Sequence, residues 1–236
     1  TIAAEGYAKI TGKMAVACVT SGPGATNAIT GVMGAWVDSV PMIVLSGQVR
    51  YSLTAEATGL PLRFRGPQEF DIINSVQNMT KYAVMLREPE KAIYELEKAI
   101  HIAMTGRRGP VWLDIPLDIQ GAEVEEKELQ HFKPEETLVS CSEEEFFKLE
   151  EMIRKAERPV ILAGNGIANS GTLEKFHKFA KYMGIPVVGA AIAVDVMYSD
   201  YELYYGLSGV IGPRTGNFIL QNSDLILAVS YTHLTL

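Results

Sequence analysis

The sequence predicts an α/β protein with two domains, each built on a parallel β-sheet. Short unbroken apolar runs alternate with amphipathic helical patterns, which is typical of a parallel sheet that helices cover on both faces. A charged segment with few large apolar residues, residues 120–140, interrupts this alternation, and the α/β pattern restarts after it. We therefore expect a first domain over residues 1–119, a linker over 120–140 and a second domain over 141–229.

The first domain begins with apolar residues at helical spacing over residues 2–10, which predict a helix. The apolar runs at 14–20 and 41–46 predict two buried strands, and the second is introduced by a proline and ended by Gly47. The remaining elements of this half are a helix over 25–37, a polar loop broken by glycine and proline over 50–66, a short helix over 68–78 and a strand over 82–86.

The strongest helical pattern of the first domain covers residues 88–104. Pro89 suits the first turn of a helix, and Gly106 marks its end. A strand over 110–115 follows, before Pro116. The apolar stripe of the helix consists of Ala92, Leu96, Ala99, Ile100 and Ala103.

The second domain opens with a helix over 142–157, because Ser142 and Glu145 have the spacing of a capping box. An apolar run at 159–163 predicts a strand, and Gly164-Asn165-Gly166 predicts a turn after it. The elements that follow are a helix over 170–183, a strand over 185–188, a short helix over 215–221 and a strand over 225–229.

Composition excludes several classes of function. The chain has 236 residues, 47% of them hydrophobic and 21% charged, and a formal charge of −7, which argues against a nucleic-acid partner. No apolar run is long enough to span a bilayer, and residues 1–13 are amphipathic, so we expect neither a membrane span nor a secretory signal. Cys18, in a predicted buried strand, and Cys141 are far apart and predict no disulfide, which suits the cytoplasm. The four histidines lack metal-ligand spacing, so no metal site is expected.

Both ends of the sequence suggest interruption. The chain begins at Thr1 without a methionine and without a capping signal before the first helical stripe. At the other end, VSYTHLTL contains no turn or helix signal, and in one reading frame it matches a transposase sequencing adapter. We therefore expect a native segment upstream of Thr1, a second domain that is cut short, and a non-native tail over residues 230–236.

A glycine-rich loop follows the first predicted strand, in the sequence Gly22-Pro-Gly-Ala-Thr-Asn27. A glycine turn between a strand and a helix can cradle a phosphate. Here Asn27 replaces the third glycine of the dinucleotide motif, and Pro23 removes one amide donor. The next strand ends in Ser46-Gly47-Gln48 rather than in the acid that would bind a ribose. A phosphate cradle and a nicotinamide dehydrogenase are thus disfavoured, while a purely structural turn stays open.

A series of motifs resembles the pyrimidine-binding domain of thiamine diphosphate enzymes of the acetolactate synthase and pyruvate oxidase group. Several uncommon motifs in the same order are more specific than one glycine loop. The resemblance implies a thiamine diphosphate pyrimidine-binding domain followed by a truncated Rossmann-like central domain. The motifs are AAEGYA at 3–8, TSGPGATN at 20–27, DSVP at 38–41, SGQV at 46–49, QE at 68–69, TK at 80–81 and GPVWLDIP at 109–116.

The resemblance assigns the glycine loop to the aminopyrimidine of the cofactor rather than to its diphosphate. It implies that the diphosphate and Mg²⁺ bind a domain carrying a Gly-Asp-Gly … Asn motif, which this sequence lacks. The family's catalytic glutamate would lie upstream of Thr1, so no catalytic residue is assigned here, and Glu5 is expected to pair or cap structurally. The implied cofactor-binding residues are Thr20, Gly22, Pro23, Gly24 and Asn27.

The resemblance also places Gln68 and Lys81 near a substrate channel. Pro67 stands where acetolactate synthases have Phe, and Arg63 and Arg65 are cations that could meet a carboxylate or phosphate. These departures put the acetolactate product in doubt. A solvated loop and a surface lysine are the alternatives.

The second domain resembles the family's central domain, which binds FAD in acetolactate synthases. The resemblance implies a possible FAD site at Gly164, Gly166 and Arg214. The family's Gly-Met-His-Gly segment is replaced here by Gly209-Val-Ile-Gly212, which lacks the histidine. A fold without flavin is the alternative.

The function implied is decarboxylation of pyruvate with transfer of the two-carbon unit to a second 2-keto acid. A related decarboxylase, lyase or hydrolase, or a binding fragment without activity, are the alternatives. The resemblance implies small 2-keto acids as substrates and a homodimer or tetramer, with no nucleic acid and no membrane partner.

Overall fold

The computed structural model describes residues 1–135 and 141–230, and the chain divides into two compact units, Thr1–Glu136 and Thr137–Leu236. Each unit contains a four-stranded parallel sheet with flanking helices. The predicted fold class, two parallel-sheet α/β domains, is confirmed. Within the described ranges, no helix is both long and apolar enough to cross a membrane. The predicted non-native tail falls outside the described residues, apart from Ser230.

The sheet of the first unit has the strand order β1-β2-β4-β3, with all neighbours parallel. Because the strands are parallel, all four carboxyl ends meet at one edge of the sheet. The elements are α1 (Ile2–Thr11), β1 (Ala15–Val19), α2 (Pro23–Val37), β2 (Met42–Gln48), α3 (Ile72–Val76), β3 (Tyr82–Met85), α4 (Ala92–Met104), β4 (Pro110–Pro116) and α5 (Leu117–Gln120).

Two apolar clusters cover the two faces of this sheet. On one face, α1, α2 and α3 pack against Met42, Val44 and Trp112, and the Trp112 side chain is fully buried. On the other face, Ala99 and Ala103 of α4 pack against strands β2 and β4. The apolar stripe predicted for residues 88–104 thus packs against the sheet. The sheet lies between two helical layers, and the carboxyl ends of its strands all point in one direction.

The prediction that the first strand is buried is wrong for one of its two faces, which is exposed. Along β1 the side chains alternate, so that Ala15 is buried while Val16 is 55% exposed and Cys18 is exposed. The reason is position: β1 is an edge strand, and α4 packs over the other three strands. Cys18 is therefore an exposed thiol.

Several boundaries in the first unit differ from the predicted ones. The helix predicted over 68–78 begins only at Ile72, as α3, and ends in a 3-10 turn at Gln77–Met79, while another 3-10 turn at Pro89–Lys91 precedes α4. The irregular loop predicted over 50–66 contains two 3-10 turns, Tyr51–Leu53 and Glu56–Thr58.

Part of the predicted linker packs against the first unit. The Phe132 ring meets the Tyr94 ring edge-on, with centroids 5.6 Å apart, and the Phe132 amide donates to Glu97 at 2.8 Å. The amide of Gln130 donates to the Glu90 carbonyl at 3.0 Å. Residues 130–132 therefore contact α4 and the turn before it. The charged composition of the segment does not predict this contact, which depends on one aromatic residue, Phe132.

The sheet of the second unit has the order β7-β6-β5-β8 and is also parallel. The predicted capping box is present, with Ser142 and Glu145 bonded reciprocally. Strand β7 was missed by the sequence analysis because its run of two tyrosines, a glycine and a leucine is short. The elements are α6 (Glu143–Lys155), β5 (Pro159–Ala163), α7 (Gly166–Asn169), α8 (Leu173–Met183), β6 (Val187–Gly189), β7 (Tyr204–Leu207), α9 (Arg214–Asn222) and β8 (Leu225–Val229).

Candidate functional site

The glycine loop connects the carboxyl end of β1 to the first turn of α2. Gly22 has φ 56° and ψ −119°, a backbone conformation that residues with a side chain rarely adopt. Pro23 is the first residue of α2, where a missing amide proton costs nothing. The Thr26 amide donates to the Gly22 carbonyl at 2.9 Å, which closes the first helical turn. The loop is therefore a rigid turn at the carboxyl edge of the sheet.

Gly22 is required by a close contact as well as by its backbone conformation. A Cβ at this position would lie 2.4 Å from the carbonyl oxygen of Gln68. Gln68 itself has a positive φ of 59°. A Cβ on Gly24 would lie 2.5 Å from the Thr20 Cγ2. The structure therefore brings Gln68 against the glycine loop, and close contacts also explain why Gly22 and Gly24 lack side chains.

Three predicted cofactor-binding residues form an exposed surface on this turn, which we call the neutral face: Thr20, Pro23 and Asn27. Pro23 and Asn27 are four residues apart in α2 and so share one side of the helix. Among the described residues, none is hydrogen-bonded to the Asn27 amide group. Residues 20–30 carry no charged side chain. A proline ring, a hydroxyl and a free amide suit a flat, neutral, polar ring better than a phosphate.

A buried polar cluster lies under the same edge of the sheet, which we call the Asp114 cluster: Asp114, Ser46, Gln48 and Trp112. The Ser46 hydroxyl donates to Asp114 at 2.5 Å, and the Gln48 amide donates to its other carboxylate oxygen at 3.0 Å. The Trp112 Nε1 donates to the Ser46 hydroxyl at 2.8 Å. Burial raises the pKa of Asp114 to about 6. The hydrogen bonds from Ser46 and Gln48 lower this pKa, and the charge of Asp71 raises it.

The loop beyond β2 is tied together by Glu69. Its carboxylate accepts from the amide of Ala55 at 2.9 Å and from the amide of Arg65 at 2.7 Å. The Gln48 amide also donates to the Phe70 carbonyl at 2.9 Å. The segment that carries Gln68 is therefore fixed from both sides.

In the sequence, Gln48 and Asp114 stand out only as members of the SGQV and GPVWLDIP motifs, and the motifs assign neither residue a role. The signal that could have singled them out is a polar residue inside an otherwise apolar strand. Such a residue is buried at a cost unless its partners are supplied. Their pairing could not be read from the sequence, because it depends on the register that places Ser46 opposite Asp114.

The structure does not bring Lys81 together with Gln68. Lys81 immediately precedes β3, and its amide donates to the carbonyl of Pro110 at the start of β4, so it lies at the amino edge of the sheet. Its ammonium group donates to the carbonyls of Ile102 and Thr105 at the end of α4. Burial lowers the pKa of Lys81. In this structure Lys81 therefore caps a helix at the edge opposite the glycine loop.

Glu5 pairs structurally, as expected. The Lys9 ammonium lies 2.6 Å from Glu5 and 2.5 Å from Asp38, and these hydrogen bonds, with Asp38 the stronger, raise the pKa of Lys9. This group joins the end of α2 to α1.

The glycines predicted for a flavin site lie against the end of β8. A Cβ on Gly164 would lie 2.1 Å from the Ser230 carbonyl oxygen, and a Cβ on Gly166 would lie 1.8 Å from the Ser230 hydroxyl. Arg214 is exposed at the start of α9. The space beside both glycines is occupied by Ser230, the first residue of the predicted non-native tail, so the flavin site at Gly164, Gly166 and Arg214 stays a prediction.

No candidate metal centre appears in the described part of the chain, where no three His, Cys, Asp or Glu side chains are grouped to hold an ion. Mg²⁺ therefore has no ligands assigned among these residues.

Two family models match the chain. Residues 1–76 match the thiamine pyrophosphate enzyme, N-terminal TPP binding domain, and residues 148–234 match the thiamine pyrophosphate enzyme, central domain. The first match contains the whole glycine loop, the neutral face and Gln68. The second contains the sheet of the second unit.

Characterised relatives agree with both matches. The chain is 38% identical over 232 residues to the acetolactate synthase large subunit of Corynebacterium glutamicum, covering 96% of this chain and 35% of the relative. It is 36% identical over 230 residues to the acetolactate synthase large subunit of Lactococcus lactis, covering 95% and 38%. It is 33% identical over 235 residues to the probable acetolactate synthase large subunit of Methanocaldococcus jannaschii, covering 96% and 38%.

The chain thus spans little more than a third of the length of these three relatives. Both matched domains come from the same family, in the order in which the two α/β units occur in the structure. The chain therefore belongs to the thiamine pyrophosphate enzymes, with an N-terminal and a central domain that resemble those of acetolactate synthase large subunits.

Proposed function

We propose that the protein uses thiamine diphosphate to decarboxylate pyruvate and to transfer the two-carbon unit to a second 2-keto acid, as an acetolactate synthase does. The observation that carries the proposal is the neutral face of Thr20, Pro23 and Asn27 beside Gln68. It lies in the segment matched to a TPP-binding domain. Its uncharged chemistry fits the aminopyrimidine end of the cofactor.

Each residue of the site has a role in this proposal. Thr20 and Pro23 would hold the pyrimidine ring, and the side-chain amide of Asn27 would supply a hydrogen bond to it. Gln68 borders the ring, because its backbone is packed against Gly22. When bound, the cofactor supplies the electron sink that decarboxylation of a 2-keto acid requires. The diphosphate and Mg²⁺ are held by residues other than the ones described, and a second subunit completes the site in a homodimer or tetramer.

A related decarboxylase, lyase or hydrolase is the second candidate. The segment before Gln68 favours it, since Leu62, Arg63 and Phe64 are all exposed. An exposed cation between two apolar side chains suits a substrate that carries a negative charge and an apolar part. Such a substrate is larger than pyruvate.

The test is an assay of the protein expressed from its complete gene. Pyruvate consumption and acetolactate formation are measured with thiamine diphosphate and Mg²⁺ present, and again with the cofactor omitted. The proposal predicts acetolactate only when the cofactor is present. Cofactor binding with a product other than acetolactate would select the second candidate, and a protein that does not bind thiamine diphosphate would contradict both.

Two variants connect the assay to the neutral face. Asn27→Ala removes the free amide and is expected to raise the cofactor concentration needed for half activity. Thr30→Ala is the matched control, since Thr30 is an exposed polar residue on the same side of α2, one turn further from the glycine loop. Equal effects of both variants would remove Asn27 from the site.

A further inference from the structure

The Asp114 cluster has no role in the function proposed so far. Asp114 is fully buried, Ser46 is 1% exposed and Gln48 is 5% exposed. A carboxylate in the interior of a sheet costs free energy unless its hydrogen bonds are satisfied. A role for the cluster must therefore explain why its geometry is worth that cost.

The chemistry of the side chains fixes the direction of every hydrogen bond in the cluster. An indole nitrogen only donates, so Ser46 accepts from Trp112 and must give its own proton to Asp114. The Gln48 carbonyl oxygen accepts from the Val49 amide at 3.0 Å, which identifies the atom facing Asp114 as the amide nitrogen. While Asp114 is ionised, both of its carboxylate oxygens are therefore acceptors, and the cluster has one arrangement.

Gln48 extends this arrangement beyond the sheet. Its amide nitrogen has two protons, and the second is donated to the Phe70 carbonyl at 2.9 Å. The next residue, Asp71, caps α3 by accepting from the Asn74 amide at 3.1 Å. The chain is thus anchored just after the Gln68–Glu69 segment.

Gln68 precedes that anchor by two residues and lies against the glycine loop. Its carbonyl oxygen occupies the space that a Cβ on Gly22 would need. A continuous path of contacts therefore runs from Asp114 through Gln48 and the Phe70 carbonyl to Gln68 and Gly22. A shift of the Phe70 carbonyl would move Gln68 relative to the glycine loop.

We propose that Asp114 is a positioning residue: its carboxylate holds Gln48, which holds the Phe70 carbonyl and so keeps Gln68 in place against Gly22. The inference rests on the proposed function in that Gln68 borders the cofactor there. Asp114 itself lies beneath the sheet edge and acts only through Gln48.

The position cannot be served equally well by an apolar residue. A leucine in place of Asp114 would remove the acceptor of the Ser46 hydroxyl and of one of the two Gln48 amide protons. Gln48 would then be free to turn, and the Phe70 carbonyl would lose a fixed donor. Burying the Asp114 carboxylate costs free energy of folding, and what it provides is a fixed position for the segment that carries Gln68.

Hydrogen–deuterium exchange of the protein expressed from its complete gene tests the proposal without reference to catalysis. The reporters are the amides of Arg65, Glu69 and Ile72, each of which donates a hydrogen bond within the loop. We expect Asp114→Asn and Gln48→Met each to speed their exchange by about tenfold. The double variant is expected to be no faster than the faster single variant, because both break the same path.

The control is Thr80→Val, which removes another buried hydrogen bond of the same unit, from the Thr80 hydroxyl to the Val76 carbonyl at 2.9 Å. It should leave the loop amides unchanged. Unchanged loop exchange in Gln48→Met, or an equal increase in Thr80→Val, would overturn the proposal. If Asp114→Asn does not fold, Gln48→Met decides alone, since it breaks the path and leaves the carboxylate with its Ser46 donor.

A kinetic readout separates positioning from simple stability. In Gln48→Met we expect the KM for thiamine diphosphate and pyruvate to rise about tenfold, with no matching loss of folded protein. An unchanged KM with faster loop exchange would overturn the link to the site. A wild-type protein without the proposed activity would contradict the proposed function alone, because the exchange result does not depend on it.

Discussion

The two units each contain a Gly-x-Gly turn between a parallel strand and a helix, and the structure uses the two turns differently. In the first unit, Gly22 packs against Gln68 from a distant loop, while Pro23 and Asn27 are left exposed. In the second unit, Gly164 and Gly166 pack against Ser230, at the end of the neighbouring strand. A glycine turn alone therefore does not specify a ligand site. The side chains left exposed beside the turn do.

The largest expected effect comes from filling the first turn. Gly22→Ala places a side chain at φ 56° and 2.4 Å from the Gln68 oxygen, so either the turn or the loop must move. We expect a loss of about 3 kcal/mol in the free energy of unfolding and loss of thiamine diphosphate binding. Urea unfolding and calorimetric titration measure the two.

Gly164→Ala is the counterpart in the second unit, where the contact is with Ser230. It should also destabilise the protein, but the folded fraction should bind thiamine diphosphate with unchanged affinity. Equal losses of affinity in the two variants would contradict the assignment of the cofactor to the first turn.

The second effect concerns the neutral face. Asn27 is exposed and hydrogen-bonded to none of the described residues, so Asn27→Ala should not change stability. We expect its affinity for thiamine diphosphate to fall about tenfold, because one hydrogen bond to the ring is lost. Calorimetric titration measures the affinity. An unchanged affinity would mean that the ring lies elsewhere.

The third effect is a dependence of stability on pH that comes from Asp114. Its pKa in the folded protein is raised to about 6 from an ordinary value of 3.8, so the folded state binds this proton more readily than the unfolded state. Its contribution to stability is therefore fully present below pH 3.8 and is lost as the pH rises through about 6. The loss between about pH 5 and pH 7 is roughly 1 kcal/mol.

Urea unfolding of the wild type and of Asp114→Asn at both pH values isolates this contribution. The difference in stability between them should change by that amount as the pH rises. A constant difference would mean that Asp114 titrates in the folded protein as it does in the unfolded chain.

The smallest effect is at the opposite edge of the sheet. Lys81→Met removes the ammonium group from the end of α4, and we expect a loss of roughly 0.5 kcal/mol in stability. The KM for pyruvate should not change, because Lys81 caps a helix far along the strands from Gln68. Steady-state kinetics measures the KM, and a several-fold increase would restore Lys81 to the substrate channel.

Much of the fold could be predicted because it depends on local patterns. Apolar runs located seven of the eight strands in the described part of the chain, and the spacing of Ser142 and Glu145 predicted a capping box that is present. The exposed side of β1 could not be predicted, since whether Cys18 is covered depends on the order of strands in the sheet. Strand order is set by long-range packing.

The candidate site could be predicted in part for the same reason. The glycine loop is a local signal, so the sequence alone singles out Gly22 and Asn27 as candidates. The contact of Gln68 with Gly22 and the bond of Gln48 to Asp114 join segments 46 and 66 residues apart. The resemblance placed both Gln68 and Lys81 near a substrate channel, but the intervening α3 carries the chain to the opposite ends of the strands.

The most direct test of the central claim is an experimental structure of the protein from its complete gene with thiamine diphosphate bound. We expect the aminopyrimidine ring against Pro23, with the side-chain amide of Asn27 within hydrogen-bonding distance of a ring substituent or nitrogen and Gln68 alongside. A pyrimidine ring bound away from this neutral face, with Thr20, Pro23 and Asn27 still open to solvent, would contradict it.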